Sequence, residues 1–64
     1  MTRTIVRFEM YTGTEEDNTL RMFRTVTRGI KPDANRADIM RTLAAKYGAD
    51  EITCTELFTC DVDE

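Results

Sequence analysis

Apolar and polar positions alternate from the start of the chain, where Thr4, Val6, Phe8 and Met10 interleave with Arg3, Ile5, Arg7, Glu9 and Tyr11. A two-residue period rich in β-branched and aromatic types predicts a strand over 2–11 whose core face is Val6, Phe8 and Met10. Residues 12–19 hold no apolar side chain and include Gly13, Asp17 and Asn18. Such residues tolerate turn conformations, and the stretch is expected to be a hairpin loop.

Residues 20–30 carry β propensity in Phe23, Thr25, Val26 and Thr27, and predict a second strand. Its phase is mixed. Leu20, Met22, Val26 and Ile30 share a parity with Arg24 and Arg28, whereas Phe23 shares the other with Arg21, Thr25, Thr27 and Gly29. The first parity is expected to face the core, with an edge position or a bulge near Gly29 releasing the arginines to solvent.

Pro32 ends this strand, and the period then changes to three and four: Ala37, Ile39, Met40, Leu43, Ala44 and Tyr47 predict a helix of about four turns over 33–47. Asp33 or Asn35 is a candidate N-cap, Asp38 and Lys46 complement the helix dipole, and Gly48 stands where a left-handed C-terminal residue belongs. A last strand over 51–62 alternates Ile52, Cys54, Phe58, Cys60 and Val62 against Glu51, Thr53, Thr55, Leu57, Thr59 and Asp61, with Glu56 alone breaking the apolar side.

The order β-β-α-β predicts one α+β domain over 1–64. A right-handed crossover makes the strands flanking the helix parallel to each other, and the first hairpin is antiparallel. The first strand therefore falls in the middle of a three-stranded antiparallel/mixed sheet of order 2-1-3, with the helix packed on one face. The opposite face, bearing Arg3, Ile5, Arg7, Glu9, Tyr11, Thr53, Thr55 and Leu57, has no cover from this chain. Arg3, Ile5, Arg7, Tyr11, Thr55 and Leu57 are accordingly the expected partner-binding residues.

With 64 residues, such a domain buries only about 60% of its unfolded surface, and small domains often add disulfides, metal or a partner subunit. Two cysteines and no histidine make structural zinc a poor candidate. Cys54 and Cys60 on one strand lie roughly 20 Å apart at about 3.3 Å per residue, too far for an internal disulfide. Their shared parity with Ile52 places both thiols toward the helix as small buried side chains. No secretory signal or membrane-spanning run is evident, and the cytoplasm is the expected compartment. Association with a second copy or another protein remains the expected supplement.

Charge is segregated along the chain despite a net value of −3: residues 47–64 carry six acids and no base, whereas 18–46 carry seven bases against two acids. Arg21, Arg24, Arg28 and Lys31 suggest a phosphate-binding patch, or more simply cross-strand pairing with Glu9 and the acids of the last strand. Glu15, Glu16, Asp17 and Asn18 lack the alternating ligands of a calcium loop, and resemble a solvated hairpin tip. Glycine-rich phosphate loops and histidine-based acid/base pairs are absent, no serine occurs, and catalysis, a cofactor and a small-molecule substrate are not expected.

The function expected is that of a small non-catalytic interaction or regulatory module acting as a homodimer. By association rather than physics, it suits an accessory protein of a phage or other mobile element. A nucleic-acid-binding role through Arg21, Arg24, Arg28 and Arg41 is the alternative. A third reading is an acidic nucleic-acid mimic presenting Glu15, Glu16, Asp17 and the tail of Asp61, Asp63 and Glu64.

Overall fold

The structure, a computed structural model, describes residues 1–13, 16 and 19–62. Strands β1 (Thr2–Gly13) and β2 (Leu20–Ile30) precede helix α1 (Arg36–Tyr47) and strand β3 (Glu51–Asp61). The sheet order is β2-β1-β3, with β1 antiparallel to both neighbours. This is the α+β arrangement that the hydrophobic periods and the crossover rule predict.

Within β1, Thr4, Val6, Phe8 and Met10 are buried in alternation on the side that bears the helix. Val6, Phe8 and Met10 form the apolar core with Leu43 of α1 and Ile30 of β2, and Ile39, Met40, Tyr47, Ile52, Val26 and Cys54 pack around it. Each fully buried apolar side chain contributes about 1.5–3 kcal/mol, so a core of five such residues leaves little margin over the entropy of ordering the chain.

The helix begins three residues later than its apolar period suggests. Pro32 instead opens a turn closed by the Ala34 N–H donating to the Lys31 carbonyl at 3.0 Å. Asn35 is the cap, its side-chain oxygen accepting from the Asp38 N–H at 3.2 Å. Gly48 closes the far end at φ 69°, and the Ala49 N–H reaches back to the Ala44 carbonyl at 2.9 Å. Ala37, expected on the apolar face, is exposed. Glu56, on the helix side opposite Val6, is satisfied by Arg36 at 3.2 Å, which ties the start of the helix to β3.

Two register shifts reassign half of each edge strand. Opposite β1, Met10 pairs with Arg24 but Tyr11 pairs with Met22, so Phe23 has no partner. Likewise Ile5 pairs with Phe58 but Val6 pairs with Glu56, which leaves Leu57 extra. A one-residue bulge reverses the facing of everything beyond it. Leu20 and Met22 therefore lie on the uncovered face, although Val26 and Ile30 do face the core as expected. Phe58, Cys60 and Val62 are also on the uncovered face, contrary to the single parity expected for the last strand.

Gly29 is not the bulge. It sits opposite Ile5, where an added Cβ would lie 3.2 Å from the Ile5 Cδ1. The hairpin is shorter than residues 12–19, because Thr12 and Gly13 are strand. Glu16 lies in a turn, and Thr14, Glu15, Asp17, Asn18, Asp63 and Glu64 lie outside the described residues. Beyond the hairpin, Asp50 joins the end of β1 to the start of β3: its Oδ2 accepts from the Gly13 N–H at 2.7 Å and from the Thr12 hydroxyl at 3.3 Å.

Leu43→Ala is expected to remove about 2–5 kcal/mol, comparable to the whole stability of a domain this small, and to leave the chain largely unfolded by far-ultraviolet circular dichroism. Gly48→Ala should keep the fold and lower the urea midpoint by the equivalent of about 1 kcal/mol, because a side chain is strained at positive φ.

Candidate functional site

The face opposite the helix is built in cross-strand rows. Gly29, Ile5 and Phe58 form one row, Thr27, Arg7 and Thr55 the next, then Thr25, Glu9 and Thr53, then Met22, Tyr11 and Glu51. Leu20 stands opposite Gly13 at one end, and Cys60 opposite Arg3 at the other. Arg3, Ile5, Arg7, Tyr11 and Thr55 thus share the face the alternation of β1 assigns to them. Leu57 is the bulge residue beside it, 42% exposed.

This face is apolar at both ends and charged in its middle. Phe58 is 57% exposed and Met22 54%. Between them Arg7 Nε lies 3.6 Å from Glu9 Oε1, and the Tyr11 hydroxyl donates to Glu9 Oε2 at 3.3 Å. Tyr11, expected to be exposed, is half-buried by these neighbours.

The apolar residues missed by sequence reasoning, Phe58, Cys60, Leu20 and Met22, are all carried there by the two bulges. The signal was present at both places. Polar Glu56 beside apolar Leu57, and Phe23 beside Arg24, each interrupt the alternation where the register slips.

Cys54 and Cys60 are free thiols on opposite faces. Cys54 is opposite Phe8 and packs against the core, whereas Cys60 is opposite Arg3. The internal disulfide is excluded as expected, but Cys60 does not face the helix.

The arginines divide. Arg21, Arg24 and Arg28 lie on the helix side of β2, opposite Thr12, Met10 and Val6. Glu9 is on the other face, so the cross-strand pairing expected between it and these arginines does not form. Arg24 instead stacks 4.4 Å from the Tyr47 ring centroid, with Lys46 at 5.4 Å from the same ring. Arg41 is on the outer side of the helix, 3.1 Å from Asp38, apart from the other three.

Among the described residues there is no enclosed cavity and no cluster of acids and thiols able to hold a metal. No helix of the described residues is long and apolar enough to cross a membrane. Comparison with known protein families, with characterised proteins and with solved structures finds no match.

Mild oxidation of the dilute protein is expected to produce no internal disulfide, and a maleimide should modify Cys60 before Cys54. Peptide mass spectrometry after limited labelling checks the order.

Proposed function

We propose that this chain is a non-catalytic interaction module that works as a homodimer, two copies packing their uncovered sheet faces together. The observation that carries this reading is the exposed apolar surface delivered to that face by both bulges, Met22 and Leu20 at one end and Phe58 at the other. Several large apolar side chains left exposed on one face of a small domain mark an interaction site.

The proportions of the molecule support it. Its radius of gyration is 13.6 Å, against about 10.7 Å expected for a compact domain of this length. The outline of 47 by 18 Å matches the roughly 800 Å² per partner that stable interfaces bury.

The pattern of the face favours a second copy over an unrelated protein. A two-fold axis crossing the strands between Arg7 and Glu9 sets each Arg7 over the other copy's Glu9, and each Ile5 over the other copy's Tyr11. Self-complementarity of this kind is what an isologous interface requires. Two sheets stacked this way lie about 10 Å apart with strands near 30°.

Light scattering or sedimentation should find a dimer at micromolar concentration, and a compact monomer at high micromolar concentration would refute the reading. Arg7→Glu and Glu9→Arg variants should each be monomeric, since each places like charges together across the axis. Mixed in equal amounts they should form a heterodimer, because charge pairing is restored between the chains.

A further inference from the structure

We propose that the helix-side surface of edge strand β2 binds the phosphate backbone of single-stranded nucleic acid, with Arg24 and Arg28 as its principal contacts. This goes beyond the association of sheet faces, because it uses the other side of the sheet. Nothing in β2 is acidic, and nothing in β3 is basic. Since β1 separates them, charge runs across the sheet, positive at the β2 edge and negative at the β3 edge. A net charge of −3 therefore conceals a strand that is basic throughout its charged positions.

Five acids of the described residues are engaged away from that edge. Glu9 pairs with Arg7 on the far face, Glu56 with Arg36, Asp38 with Arg41, and Asp50 accepts from Gly13 and Thr12. Asp61 accepts from the Thr2 hydroxyl at 2.9 Å. Among the described residues neither Arg24 nor Arg28 has a carboxylate partner. The helix backbone runs closest to β3, and β2 is exposed along its length apart from Val26 and Ile30. The arginines thus stand on an open edge.

Their placement suits an extended polyanion. Residues on one face of a strand recur about every 6.6 Å, so Arg24 and Arg28 are roughly 13 Å apart, with Arg21 one row beyond Arg24. Arg24 and Arg28, on the regular part of β2, are thus spaced to meet separate phosphates of one extended strand. Tyr47 holds Arg24 by its ring face and brings Lys46 to the same place. That stacking limits the freedom Arg24 would lose on binding, and guanidinium groups match phosphate oxygens by paired hydrogen bonds.

Fluorescence anisotropy with labelled oligothymidylate and oligouridylate across a salt series tests this. Binding of either should weaken with salt with a slope near −2 in log K against log salt, corresponding to about three phosphate contacts on a single strand. Arg24→Gln and Arg28→Gln, both at exposed positions, should each reduce that slope by about 0.7. Arg41→Gln should leave it unchanged. Absence of binding at low ionic strength, unchanged binding by the Arg24→Gln/Arg28→Gln double variant with its fold verified by circular dichroism, or displacement by polyglutamate as readily as by oligonucleotide of equal charge would each overturn the proposal.

Discussion

The central strand β1 makes ladder hydrogen bonds along both of its edges, and every other element takes its place from that. Its even-numbered residues, from Thr4 to Met10, are the floor of the core, and its odd-numbered residues from Arg3 to Tyr11 are the spine of the opposite face. Unbroken two-residue periodicity makes this possible, because a slip anywhere in β1 would exchange the two faces for both neighbours at once. The irregularities of the sheet accordingly occur in β2 and β3, where each disturbs one ladder only.

Around that strand, local chemistry does the closing. Asn35 caps the helix start while Arg36 fastens it to Glu56, and Gly48 turns the chain into the Asp50 clasp on Thr12 and Gly13. At the opposite end, the Met1 ammonium donates to the Val62 carbonyl at 3.0 Å and the Val62 N–H to the Met1 carbonyl at 2.9 Å. β3 is thereby secured beyond both ends of its regular ladder. These are polar contacts of modest energy individually, but they fix the order of a sheet whose helix covers only part of one face.

Element order, topology, the core face of β1 and the capping of the helix were legible in the sequence, since each follows from a period or a residue type acting over a few positions. Facing in β2 and β3 was legible only as far as the bulges. Phase beyond an extra residue depends on pairing with a strand distant in the chain, and the interruption at Glu56 and Leu57 does not by itself say which residue is extra. That Arg3, Ile5, Arg7 and Tyr11 share one face follows from alternation within β1, whereas Phe58, Leu20 and Met22 join that face only through the bulges. The arginine pairing failed for a related reason: Glu9 has odd parity on β1, whereas Arg24 and Arg28 align with even positions.

The two bulges also bear on how the sheet can grow. Each lies in an edge strand, one toward either end of the molecule, and an edge strand is where an incoming chain would add itself by backbone hydrogen bonding. A regular newcomer aligned with β2 would lose its ladder at Phe23, and one aligned with β3 would lose it at Leu57, because the local twist and spacing change there. Edge-on polymerisation, the hazard of a long three-stranded sheet, is therefore interrupted after a few residues in either direction. The same inserted residues that bring apolar side chains to the flat face thus make both rims poor templates for an added strand.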